Sequence, residues 1–182
     1  MMTNENADVE YNNRTVLTCS DLAFGYQQNI LSDINCDFNT GEFVGVIGAN
    51  GAGKTTLLSL LMGMLNPTQG SIELNQKPLQ SYNRKQLSLI LSMVPQDTAI
   101  AYDFSVKEVV AMGRNPYLGR FSLERDEDWQ AINSAIEKTD LTQLADRSVT
   151  ALSGGERQRV MIARAIAQDT DILLLDEVTA NL

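Results

Sequence analysis

Lys54 ends a glycine-rich run. Residues 48–55 read Gly-Ala-Asn-Gly-Ala-Gly-Lys-Thr and fit G-x-x-x-x-G-K-[ST], with Gly48, Gly53, Lys54 and Thr55 at the fixed positions. Glycines let a backbone curl until several N–H groups point at one anion. Gly48, Asn50, Gly51, Ala52, Gly53 and Thr56 therefore join Lys54 and Thr55 as candidate phosphate-binding residues. The apolar stretch 42–47 predicts a strand before the loop, and 55–62 predicts a helix after it. The helix start adds the positive end of its dipole. In that setting Lys54 reaches the β- and γ-phosphates of a nucleotide, and the Thr55 hydroxyl ligates Mg²⁺.

A second chemical centre stands at 171–177, an apolar run that ends in Asp176 and Glu177. Four consecutive apolar residues suit a central parallel strand covered on both faces. Open α/β sheets place ligands at the carboxyl ends of their strands. Asp176 is then the candidate metal ligand, and Glu177 the candidate general base for an attacking water.

Between the two lies Leu152-Ser153-Gly154-Gly155-Glu156-Arg157-Gln158. Ser153 and Glu156 have the spacing of a capping box, which predicts a helix start there. The two glycines leave backbone N–H groups open to an anion. This phrase resembles the signature of ATP-binding-cassette ATPases. The resemblance implies that Ser153, Gly154, Gly155 and Glu156 meet the γ-phosphate of ATP held by a second ATPase subunit, in a homodimer. Phe24-Gly25-Tyr26 is similar to the end of the family's first strand, which implies that Tyr26 stacks on adenine. Val94-Pro95-Gln96 resembles the Q-loop, which makes Gln96 a metal-facing and relay residue. Asn66-Pro67 through Gly70-Ser71-Ile72 resembles the turn after the family's first long helix. The resemblance runs from about residue 16 to 182.

The elements that must position these groups follow from the pattern. Residues 16–26 and 30–38 alternate as strands, 40–42 is a turn, and 71–74 is a strand. Residues 89–93 predict a strand leading into Gln96. Ser105 and Glu108 form another capping box, opening a helix through Met112. Residues 123–138 have helical spacing, with Trp129, Ile132 and Ile136 as the apolar face. The expected fold is α/β: a nucleoside-triphosphatase core with a mostly parallel sheet, antiparallel strands at the N-terminal side and an inserted helical subdomain. The expected division is a flexible tail at 1–14, nucleotide-binding core at 15–96 and 153–182, and helical subdomain at 97–152.

Composition narrows the function classes. The chain has 182 residues with 14 Lys and Arg against 23 Asp and Glu, a net charge of −9, which argues against a nucleic-acid partner. It does not argue against ATP, which the loop binds through local backbone donors. Hydrophobic residues at 43% suffice for a core. No apolar run approaches the roughly eighteen residues that span a bilayer, and no signal core precedes the first strand. Cys19 and Cys36 lack ligand spacing and read as small buried hydrophobes.

The segment 103–117 is similar to importer ATPases for iron chelates, haem and cobalamin; zinc and manganese importers share part of the pattern. The resemblance implies an ATPase on the cytoplasmic face of a bacterial plasma membrane, binding ATP and Mg²⁺. Its implied partners are transmembrane permease subunits and, indirectly, a solute-binding protein. The sequence departs from the family at Val178, where proline is usual. It ends at Leu182 inside what resembles the start of the D-loop, and it contains no histidine. A C-terminally truncated member is therefore expected, and an ATP-binding fragment with little turnover is the alternative reading.

Overall fold

The computed structural model describes residues 14–96, 103–119 and 122–177. The expected tail at 1–13, the entry to the helical block at 97–102 and the D-loop-like residues 178–182 lie outside the described residues. Two compact units are present, one ending at Tyr82 and one starting at Asn83.

The first unit is built on an antiparallel sheet. Strands β1 (Thr15–Gly25), β2 (Asn29–Asn39), β3 (Gln69–Leu74) and β4 (Lys77–Pro78) lie in the order β2-β1-β3-β4. Period-two alternation puts Leu17, Cys19, Leu22, Phe24, Leu31, Ile72 and Leu74 in the core. A bulge shifts the register between Cys19 and Leu22, with Asp21 at φ 47°. Gly70, at φ +76°, passes so close that an added Cβ would lie 2.3 Å from the Asp21 carbonyl oxygen. Only glycine fits there. Helix α1 (Lys54–Leu61) buries Leu57, Leu58, Leu60 and Leu61.

The strand expected over 42–47 does not form. Phe43 and Ile47 are 95% and 96% exposed. A strand persists only where a neighbour takes its backbone N–H and C=O groups. The described strands of this unit pair with one another and leave this run without a ladder.

The second unit holds a parallel pair, β5 (Leu91–Val94) and β6 (Ile172–Leu175), in register from Leu91↔Ile172 to Val94↔Leu175. Its helices are α2 (Arg84–Ser88), α3 (Val106–Ala111), α4 (Asp126–Lys138) and α5 (Gly154–Ala167). Val106, Val109, Val110, Ile132, Ile136, Val160 and Ala163 form the centre of an apolar cluster, with Trp129 packed against it. The capping boxes at Ser105/Glu108 and Ser153/Glu156 start α3 and α5 as expected. Helix α2 is an addition to the sequence reading, opened by a capping box of Asn83 and Gln86. The expectation that the acidic strand is covered on both faces is corrected: Leu173 and Leu175 are 42% and 38% exposed. Among the described residues β6 pairs with β5 alone, which leaves it an edge.

One buried ionic knot ties the helices of this unit together. Arg114 Nε donates to Asp128 Oδ1 at 2.9 Å, and its Nη1 donates to the Ala167 carbonyl at 2.9 Å, at the end of α5. The guanidinium also lies 3.8 Å from the centre of the Tyr117 ring. The Tyr117 hydroxyl donates to the carbonyls of Gln168 and Asp169. Gly113 lets this turn approach α5, because a Cβ there would sit 2.3 Å from the Arg164 carbonyl oxygen.

Candidate functional site

The phosphate loop keeps the conformation its glycines permit. Gly51 and Gly53 take φ +80° and +89°, in the left-handed region. At Gly53 a side chain is excluded twice over, since a Cβ would also lie 2.8 Å from Leu31 Cδ2 and 3.0 Å from Ile30 Cγ2. Gly53 is the N-cap of α1 and gives it no side-chain hydrogen bond. The start of α1 thus carries the positive end of the helix dipole with no side-chain cap from Gly53 over it. The Lys54 ammonium folds back over its own loop and donates to the carbonyls of Gly48 at 3.0 Å and Ala49 at 3.1 Å. Gly48, Asn50, Gly51, Ala52 and Thr55 are exposed, and Gly53, Lys54 and Thr56 are half-buried at the loop's foot. The sequence placed all of these residues in one cradle, and the first unit brings them together.

Tyr26 stands at the end of β1, 76% exposed, with its ring edge-on to Phe24 at 5.1 Å between centroids. An exposed aromatic ring held by a second ring is one on which a flat ring can stack.

In the second unit the ends of β5 and β6 converge. The Asp176 N–H donates to the Val94 carbonyl at 3.0 Å, which extends the parallel ladder one residue past β6. Asp176 is 3% exposed. Glu177 turns outward at φ 47°, and its carboxylate accepts a hydrogen bond from the Gln96 side-chain amide. Gln96, Asp176 and Glu177 thus sit together although eighty residues separate the first from the others in sequence. The sequence assigned each of them by its own motif; the hydrogen bond between Gln96 and Glu177 is a finding of the structure.

At the start of α5 the Ser153 N–H donates to Glu156 Oε2 at 2.7 Å, and the Glu156 N–H donates to Ser153 Oγ at 3.3 Å. The Ser153 N–H, and then the Ser153 hydroxyl, hold the Glu156 carboxyl below its ordinary range. Gly154 is exposed, and an added Cβ there would meet nothing within 4 Å. The glycine corner of this helix is therefore open, while the capping pair occupies the donors beside it.

Among the described residues no group of three His, Cys, Asp or Glu side chains could hold a metal ion. Magnesium carried with a nucleotide does not need one, because phosphates and water fill most of its octahedron. The Thr55 hydroxyl in the first unit and the Asp176 carboxylate in the second are each, taken alone, oxygen donors of the hard type it prefers. No helix among the described residues is long and apolar enough to cross a membrane.

The family described as "ABC transporter" matches residues 31–180 of this sequence. The chain belongs to the ABC transporter family. It is 43% identical over 153 residues to the cobalamin import ATP-binding protein of Halobacterium salinarum, an alignment covering 84% of this chain and 38% of that protein. It is 38% identical over 159 residues to the ferric enterobactin transport ATP-binding protein of Escherichia coli, covering 87% of this chain and 59% of that one. Among solved structures it is similar to one described as an inward-facing metal-chelate type ABC transporter, at TM-score 0.79 and 38% identity, covering 92% of this chain and 62% of the other. The chain thus spans between 38% and 59% of the two curated relatives named. The α/β ABC fold with antiparallel N-terminal strands agrees with the sequence expectation.

Proposed function

We propose that this chain is the ATP-binding and ATP-hydrolysing part of a bacterial ABC importer subunit. The observation that carries the reading is the phosphate loop. It joins a helix start with no side-chain cap from Gly53, two left-handed glycines and Lys54 at one place. Tyr26 gives the adenine a stacking face. In the first unit the Thr55 hydroxyl is assigned to the metal; in the second, Asp176 and Gln96 are. Mg²⁺, when bound, neutralises charge developing on the transferred phosphoryl group. Glu177 is assigned the proton of the attacking water. Its bond from Gln96 suits that role, since an amide donor fixes the carboxylate's orientation.

The start of α5, with Ser153, Gly154, Gly155 and Glu156, is assigned to the γ-phosphate of ATP held by a second copy of the subunit. The open glycine corner offers the N–H donors, and Glu156 fixes that corner through its bond from the Ser153 N–H. The helical block from residue 103 on, with α3 at its front, is assigned to the permease subunits, on the cytoplasmic face of the membrane. A solute-binding protein completes the importer. The relatives include cobalamin, hemin and ferric enterobactin import or transport proteins, which favours a metal chelate of that class as cargo. A molybdate import protein at 39% identity marks the breadth of the group.

The test is Glu177→Gln in the assembled transporter. The amide keeps the size and loses the proton acceptor, so nucleotide affinity should hold while phosphate release falls at least a hundredfold. Near-normal phosphate release would remove Glu177 from the role of base.

A further inference from the structure

Cys19 and Cys36 are seventeen residues apart in sequence, and they face each other directly across β1 and β2. Residues directly opposite in an antiparallel pair have Cα atoms about 4.5 or 5.5 Å apart, according to which of the two alternating pair types they occupy. A disulfide needs about 4.4–6.8 Å, so either pair type satisfies it. Opposed residues also point to the same face of the sheet, so the two thiols share one side. Both are free cysteines. They differ in access: Cys19 is 2% exposed on the inner strand, while Cys36 is half-buried on β2, the edge of the sheet.

We infer that Cys19 and Cys36 form a reversible modification site, at which a small-molecule disulfide converts the opposed thiols into a cross-strand disulfide. The reaction runs in two exchanges. The Cys36 thiolate attacks one sulfur of the small disulfide, whose S–S bond breaks and releases one thiolate. Cys19 then loses its proton and attacks the Cys36 sulfur of the mixed disulfide, expelling the second small thiolate. Two protein thiols are oxidised, one small disulfide is reduced to two thiols, and the two protons pass to those products.

Geometry fixes the order, because only Cys36 is within reach of an outside reagent. Burial, and then the neighbouring Cys36 and Asp37, push the Cys19 thiol up to about 12, which slows its exchange and leaves Cys36 to react first. Thiol coordination of a metal is the competing use of such a pair. Among the described residues no third His, Cys, Asp or Glu completes a group with them. The inference does not depend on the nucleotide-binding reading.

The test uses the purified 182-residue chain, folded, with oxidised glutathione as the probe. Samples are acid-quenched over time, weighed intact, and cut with Asp-N protease, which cleaves between the cysteines at Asp21 and Asp33. The expected wild-type end product has lost two hydrogens, carries no glutathione, and yields one linked peptide pair that dithiothreitol separates. Cys19→Ser should instead accumulate a stable glutathione adduct on Cys36. Cys36→Ser should stay unmodified while folded and react once unfolded in urea. A wild-type chain that keeps glutathione on Cys36 would overturn the inference. So would links only between chains, or two thiols still free after the urea-unfolded chain has reacted fully.

Discussion

Arg114→Met removes the charged centre of the knot that holds the second unit. The methionine keeps much of the stem's apolar contact and loses the guanidinium. Asp128 is left as a carboxylate whose side chain is only 7% exposed, with the Arg125 N–H still donating to it at 3.0 Å. Stranding one member of a buried ion pair costs about 3–5 kcal/mol. The Ala167 carbonyl loses its 2.9 Å donor, worth about 1 kcal/mol, and the stacked Tyr117 ring loses its cation, worth about 0.5–2 kcal/mol. These terms share one side chain and do not add, and the Arg125 bond offsets part of the first. The expected loss is about 4 kcal/mol. Against a typical total of about 5–15 kcal/mol, that moves the unit close to unfolding. Trp129 is the chain's single tryptophan and packs against the same cluster, so its fluorescence reports this unit in a urea titration. The Asp128→Leu change in the Arg114→Met background should recover about half of the loss, because no unpaired charge remains. A single-variant loss below about 1 kcal/mol would refute the reasoning, since the knot would then be a solvated surface pair.

Two further outcomes follow from named contacts. Gly53→Ala places a side chain at φ +89° and within 2.8 Å of Leu31 Cδ2, so the first unit should lose about 2 kcal/mol, read as faster hydrogen exchange in 54–61; unchanged exchange would mean the loop yields freely. The Arg125 N–H, and then Arg114, hold the Asp128 carboxyl below its ordinary range. Its stabilisation is therefore complete above the unfolded value near about pH 4 and lost as pH falls through the lower folded value. Urea midpoints followed by Trp129 should drop more steeply with acid in wild type than in Asp128→Asn; parallel curves would contradict this.

Local signals were readable in the sequence wherever a residue's own neighbours decide its conformation. The capping residues Ser105 and Ser153 announced α3 and α5, and alternation announced β1 and β2. The phosphate loop was legible because its glycines must turn left-handed whatever surrounds them. Residues 42–47 read as a strand by apolar propensity, yet a strand is defined by its neighbour, and no described strand supplies one. The same dependence exposes Leu173 and Leu175 on β6. Pairings across strands and helices were invisible for a related reason. Nothing local says that Cys19 opposes Cys36, that Gln96 meets Glu177, or that Arg114 caps α5, because each contact is fixed by register and packing between distant segments. Asn83 and Gln86 have the spacing of a capping box, but the five-residue helix after them is too short to show a period.

The central claim is that the loop at 48–56 binds Mg²⁺-ATP. Titration of a fluorescent ATP analogue, with magnesium, into the wild-type chain and Lys54→Ala tests it most directly. Lys54 contributes charge-assisted hydrogen bonds of about 1.5–3 kcal/mol to a bound phosphate, so the variant should bind between about tenfold and a hundredfold more weakly. Equal affinity in the two chains would contradict the account, as would a folded wild-type chain that binds no nucleotide.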